Sequence, residues 1–160
     1  MLTKINWYIK YFGFIKVPLI FYVNPKIIRL DSEKIEVRIK LNRRTKNHLG
    51  SMYFGALSIG ADITAGFLAM RLIQNSNENI KLIFKDFKAD FLKRPEGDVH
   101  FICKQIQEVK ALVNQAIELN QRVFLPVEVY AIVPSLSDDI VARFTLTLSL
   151  KKYSSMTGRV

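Results

Sequence analysis

One cysteine, Cys103, and two histidines, His48 and His100, are all the chain has of the residues that build disulfides and soft metal sites. A lone thiol forms no intramolecular disulfide, and no Cys/His cluster has zinc-ligand spacing. Seven glycines and five prolines in 160 residues are too few for a low-complexity or collagen-like chain. The longest apolar run near the N-terminus, Val17 to Val23, falls well short of the roughly 20 residues a membrane-spanning helix needs. Acidic residues are also scarce, 14 against 24 Lys and Arg, for a net charge of +10. These absences favour a reduced, cytoplasmic domain that holds no metal. The composition that remains, 49% hydrophobic and 24% charged, suffices for one core and excludes a mostly disordered chain.

Residues 1–25, MLTKINWYIKYFGFIKVPLIFYVNP, are basic and apolar like a signal peptide. However, Lys10 and Lys16 interrupt the apolar stretch, and no small-residue cleavage site follows Val23. Ile5, Tyr8, Ile9 and Phe12 recur at helical spacing, which predicts a short helix before Pro18. Packing on the body of the domain or on another subunit is the favoured reading of this segment. Contact with a membrane surface is the less favoured one.

Beyond it, Pro25 to Leu30 and Ile35 to Leu41 read as strands. In the second, Ile35, Val37, Ile39 and Leu41 alternate with Glu36, Arg38 and Lys40, which buries one face. Met52 to Ile73 is apolar nearly all round and too long for a strand, so it reads as a helix enclosed by protein. Gly55, Gly60 and Gly66 weaken that helix by about 1 kcal/mol each relative to Ala. Their presence implies that backbone or a ligand presses close. Lys81 to Lys93 reads as a strand with a break near Lys85-Asp86, where the phase of Leu82 and Phe84 gives way to that of Phe87, Ala89 and Phe91. Val99 to Cys103 is another strand, and Gln105 to Leu119 an amphipathic surface helix. Val123 to Val133 is a long strand in which Pro126 signals an edge or a bulge. Ile140 to Leu150 closes the sheet, with Ile140, Ala142, Phe144, Leu146, Leu148 and Leu150 inward and Arg143, Thr145, Thr147 and Ser149 outward. A long enclosed helix on one curved antiparallel sheet is an α+β architecture. Its edge strands invite a second subunit.

Asp62 is out of place in the apolar helix, flanked by Ile59, Gly60, Ala61, Ile63, Ala65 and Gly66. A buried carboxylate costs several kcal/mol unless paired, and burial raises its pKa toward that of a general base. The structural alternative is an Asp hydrogen-bonded to Ser58, Thr64 or a backbone amide across an interface. The first-turn amides at Met52 to Gly55 carry positive dipole character and suit an oxyanion, with Ser51 the expected N-cap.

The run Asn47-His48-Leu49-Gly50-Ser51-Met52-Tyr53-Phe54-Gly55-Ala56, with Asp62 beyond it, resembles the hotdog-fold thioesterases of the phenylacetyl-CoA type. Members show Asn, two residues, Gly, a small residue, a hydrophobic residue and His-Gly-Gly, with an acidic residue nine positions after the His. Asn47, Gly50 and Ser51 match, and Asp62 lies nine positions after Tyr53. The chain is more similar still to an uncharacterised branch that adds a Phe-Leu-(x)-Arg-Pro strand end and a helix inserted between the later strands. Phe91-Leu92-Lys93-Arg94-Pro95 and Gln105 to Leu119 match those two features. The chain departs from the pattern at the His-Gly pair, where Tyr53 and Phe54 stand. The closer branch's His falls at Met52.

The resemblance implies a hotdog domain over residues 26–152; the sequence pattern adds an N-terminal helical segment at 1–25 and a tail at 153–160. The resemblance also implies a homodimer whose sites combine both subunits, with a tetramer of two such dimers as the open alternative. The implied reaction is acyl-CoA hydrolysis, with coenzyme A as part of the substrate and no other cofactor. Asp62 would be general base or nucleophile, the amides of Phe54 and Gly55 the oxyanion hole, and Asn47 a positioner of water or substrate, or else a loop cap. Met52, Tyr53, Leu57, Phe87 and Arg94 would contact the substrate, and the apolar lining of Phe54, Leu57, Phe87 and Phe91 suits a medium or long acyl chain. A non-catalytic acyl-CoA or fatty-acyl binder is the alternative, with Tyr53 and Phe54 replacing chemistry by packing. A dehydratase ranks last, because neither histidine lies in a dehydratase-like run. The basic clusters Arg43-Arg44-Thr45-Lys46 and Lys93-Arg94 suit phosphate steering. No nucleic-acid motif accompanies the positive charge.

Overall fold

Pro18 ends one helix and begins the next: α1 runs Leu2–Lys16 and α2 runs Pro18–Val23. Proline has no amide to give a helix interior but suits a first turn, where amides lack partners in any case. The single helix expected before Pro18 is therefore followed by a second. Gly13 lets the two lie close, since a Cβ there would meet the Phe21 backbone nitrogen at 2.7 Å. Asn24, in the left-handed region at φ 55°, stops α2. The structure, a computed structural model, describes residues 1–153; the expected tail lies, apart from Tyr153, outside the described residues.

Six antiparallel strands form one sheet: β1 (Lys26–Leu30), β2 (Ile35–Ile39), β3 (Ile80–Phe91), β4 (Val99–Cys103), β5 (Val123–Val133) and β6 (Ser137–Lys152). Their order across the sheet is β1-β2-β4-β5-β6-β3. The period-two pattern of β2 holds, with Ile35, Val37 and Ile39 buried and Glu36 and Arg38 half-buried. The register slips between Phe84 and Phe87, where the sequence changes phase. Asp86, within that slip, accepts a 2.6 Å hydrogen bond from Thr147 Oγ1. Thr147 and Ser149, expected to face outward to solvent, are buried. Ser149 accepts a hydrogen bond from Arg122 Nη1 at 2.8 Å, so polar partners rather than water satisfy this part of β6.

The central helix α3 runs Phe54–Ser76, two residues later at its start than the apolar pattern suggests. Long-range bonds hold the preceding residues extended: Met52 N–H donates to the Pro95 carbonyl at 2.9 Å and Tyr53 N–H to the Thr45 carbonyl at 2.8 Å. The N-cap is Tyr53, which makes no side-chain cap bond, so Ser51 does not cap the helix. By length and composition α3 could cross a bilayer, but here the strands curve around it. What presses on Gly60 and Gly66 is the sheet itself. A Cβ on Gly60 would sit 2.3 Å from the ring of Phe101 in β4.

The inserted helix α4 (Ile106–Leu119) buries Val109, Leu112, Val113 and Ala116 along one stripe. Two side-chain amides act as surrogate strands. Gln105 Nε2 donates to the Pro126 carbonyl at 3.3 Å while its Oε1 accepts from Glu128 N–H at 2.6 Å. Pro126 therefore sits neither at a bulge nor on an outer strand, but where β4 no longer reaches β5. Asn6 of α1 does the same for β1, donating to the Ile27 carbonyl at 2.9 Å and accepting from its N–H at 2.8 Å. The β1 edge is thereby fastened to α1. The β3 edge has no such cover among the described residues.

Candidate active site

Asp62 lies in the third turn of α3 and faces a cavity of about 360 Å³. Apart from the carboxylate, the walls are almost wholly apolar: Phe67 and Met70 from α3, Leu82 and Phe84 from β3, Tyr8 and Phe12 from α1. Among the described residues the carboxylate has no hydrogen-bond or ion-pair partner. Neither Ser58 nor Thr64 partners it, for a local reason. Ser58 Oγ donates back to the Phe54 carbonyl at 2.9 Å, and Thr64 Oγ1 to the Gly60 carbonyl at 2.6 Å. Burial therefore acts unopposed and pushes the Asp62 carboxyl above its ordinary value of 3.8.

A second cavity, of about 480 Å³, lies at the N-terminus of α3. Asn47, Met52, Tyr53, Phe54, Leu57 and Arg94 line it, together with His48 and Phe91. Asn47 closes its own loop: its Oδ1 accepts from Leu49 N–H at 2.9 Å and from Ser51 N–H at 3.2 Å. Its Nδ2 lies 3.2 Å from Ser51 Oγ, and its carbonyl accepts from Gly50 N–H at 3.1 Å, with Gly50 at φ 81°. The carboxamide is thus engaged as a loop cap. Arg94 holds the same loop through a 2.8 Å bond to the Leu49 carbonyl and pairs with Glu96 at 3.1 Å. Met52 presents a buried side chain, and its amide is taken by Pro95.

The amides of Phe54, Gly55 and Ala56 precede the first intrahelical bond, from Leu57 N–H to the Tyr53 carbonyl at 3.1 Å, and carry no partner among the described residues. The close approach at Gly55 is made by the protein. A Cβ there would meet Tyr53 Cε1 at 2.6 Å, so the glycine makes room for the Tyr53 ring folded over the first turn. Tyr53 and Phe54 have ring centroids 4.5 Å apart, and Phe54 meets Phe91 at 6.4 Å. Phe87, expected to line the pocket, lines neither cavity; its ring packs 5.9 Å from that of Phe144.

Apart from Gly55 and Phe87, which line neither cavity, the predicted site residues therefore divide into two groups on one chain. The cavities share no lining residue, and Asp62 is eight residues, about 12 Å, along the helix axis from Phe54. Sequence reasoning overlooked Tyr8, Ile9, Phe12 and Ile20 as walls beside Asp62. Their helical spacing was visible, but a local pattern does not say which remote residue a helix will cover. Among the described residues no group of three or more His, Cys, Asp or Glu could hold a metal ion.

A family profile described as a domain of unknown function, DUF4442, matches residues 6–150. The chain belongs to the DUF4442 family. No curated protein matches this DUF4442 chain in sequence. In structure it is similar to a Pseudomonas aeruginosa protein described as a "probable thioesterase". That protein is 18% identical, with a TM-score of 0.76, and the match covers 96% of this chain and 97% of the other. A Haemophilus influenzae thioesterase is 14% identical over 98% of this chain and 95% of its own, at a TM-score of 0.66. A variant of another Pseudomonas aeruginosa thioesterase is also 14% identical, over 96% and 95%, at 0.67. At such identities the likeness is one of fold, and the fold is the hotdog: a central helix wrapped by a six-stranded antiparallel sheet.

Proposed function

We propose that the chain is an acyl-CoA thioesterase working as a homodimer, with Asp62 as its general base. One observation carries this reading: a carboxylate with no partner among the described residues stands in an apolar cavity on the central helix, its pKa raised by burial. The resemblance to thioesterases in sequence, and the fold shared with proteins of that description, supply the reaction class.

In this mechanism Asp62 takes a proton from water as the water oxygen bonds to the thioester carbonyl carbon. The Phe54 and Gly55 amides hold the oxyanion that forms. Its collapse breaks the carbon–sulfur bond, and the coenzyme A thiolate leaves and is protonated, giving the free acid. Asp62 and Phe54 line different cavities of one protomer, so the reading requires two protomers, with Asp62 of one facing the helix N-terminus of its partner. The uncovered β3 edge is the natural seam. In this reading Arg94, which lines the cavity at the helix N-terminus, would meet phosphate oxygens of coenzyme A, and the basic run of Arg43, Arg44 and Lys46 would add to the attraction.

Release of free coenzyme A from short, long and aromatic acyl-CoA esters tests this directly. Native protein should turn over at least one ester, and Asp62→Asn should lose about 10²-fold or more in rate while remaining folded and dimeric. A second reading has one observation in its favour: the Tyr53 ring lies over the first turn, which suits a non-catalytic acyl-CoA binder. Ester binding without turnover by native protein would select it.

A further inference from the structure

The helices α1 and α2 contain three basic residues, Lys4, Lys10 and Lys16, and no acidic one. α1 turns Ile5, Ile9 and Gly13 to the core. At 100° per residue Trp7, Tyr11 and Phe14 fall on the opposite face. They are 68%, 53% and 63% exposed. α2 extends the surface with Leu19 and Tyr22, also exposed. Trp7 and Tyr11 stack at 5.6 Å, Lys10 Nζ lies 6.0 Å from the Phe21 ring centroid, and the Arg44 guanidinium 5.5 Å from that of Tyr22. A helix on a globular surface ordinarily turns polar residues outward. Here the outward face is aromatic and the charges flanking it are all positive.

We infer that the outer face of α1 and α2 docks on an anionic lipid surface. Tryptophan and tyrosine rings settle at headgroup depth, with an apolar body on the lipid side and a polar edge on the water side. Lysines beside them meet negatively charged headgroups. Charge selects this occupant over a second copy of the chain. A two-fold contact through this face would oppose Lys4, Lys10 and Lys16 with the same three, and α1 and α2 have no carboxylate to pair with them. Docked in this way, α1 lies between the lipid and the Asp62 cavity, whose walls include Tyr8 and Phe12 on the helix's inner side. The inference stands on α1 and α2 alone, whether or not the chain hydrolyses thioesters.

Trp7 is the only tryptophan, so intrinsic fluorescence reads this face without a label. Full-length protein is titrated with vesicles of phosphatidylcholine alone and of phosphatidylcholine mixed with phosphatidylglycerol. With the mixture, Trp7 emission should shift to the blue, be quenched by lipids brominated in their acyl chains, and the protein should float with the vesicles. Phosphatidylcholine alone should do none of these, and added salt should reverse the binding. The variant K4Q/K10Q/K16Q keeps Trp7 and should bind the mixed vesicles about tenfold more weakly or worse, with unchanged circular dichroism. F14S separates apolar from ionic attachment and should also weaken binding. Equal binding to both vesicle types would overturn the anionic preference, and no flotation with either would overturn the docking. Free protein whose Trp7 emission is already blue, and moves red on dilution, would mean that a second copy covers the face.

Discussion

An ionised Asp62 costs the fold stability, because burial raises its carboxyl above 3.8 and no neighbour among the described residues offsets the charge. The direction of the pH effect follows from proton counting. Between 3.8 and the raised folded value, the native chain binds more protons at this site than the unfolded one. Stability is thus fully present below 3.8 and is lost as pH rises through the folded value. Asp62→Asn should therefore melt higher than native protein at pH 7 to 8, by about 2–4 °C for each kcal/mol recovered. The difference should vanish in acid, below the ordinary carboxylate value. Calorimetry of the two proteins across pH checks this. If Asp62 is the base, kcat/KM of native protein should rise with pH along a limb displaced above 3.8. The oddity of this residue was legible in the sequence, because a carboxylate among Gly, Ala and Ile breaks a local pattern. The role of Gly55 was not, because the ring that needs its space belongs to Tyr53, two residues before it, and the direction of a side chain is not written in spacing.

Elements whose cause is local were readable. The alternation in β2, the phase change in β3 and the stripe on α4 each arise from a period of two or of 3.6 within one segment. The start of α3 depends instead on the carbonyls of Thr45, in the preceding loop, and of Pro95, which lies 43 residues beyond Met52. The same distinction governs Gly60. Alanine there should gain about 1 kcal/mol of helix propensity, yet its Cβ would meet the Phe101 ring at 2.3 Å. Gly60→Ala should cost about 1–3 kcal/mol net by urea denaturation. Adding Phe101→Leu should lower that cost, so that the double variant is more stable than the sum of the single effects predicts.

At the scale of the molecule the two sheet edges are treated differently. Asn6 occupies the backbone groups of Ile27 on β1, while the twelve residues of β3 keep one side open, with Ile83, Phe87 and Phe91 about half-exposed. If β3 is the seam of a dimer, Phe87→Glu should convert a dimer to a monomer in sedimentation experiments, with the far-ultraviolet spectrum retained. Loss of activity with the dimer would further indicate a site shared between protomers. One other feature acts on the whole molecule. Cys103, the only cysteine, ends β4 between β2 and β5, is fully buried, and has its thiol pushed up by burial. Thiol reagents attack the thiolate at an accessible sulfur, so the folded chain should resist them. Slow labelling of native protein then becomes a clock: each modified molecule records one opening of the sheet's interior. A cysteine introduced on the surface, for a dye or a spin label, would react first and alone, with no need to remove the natural one.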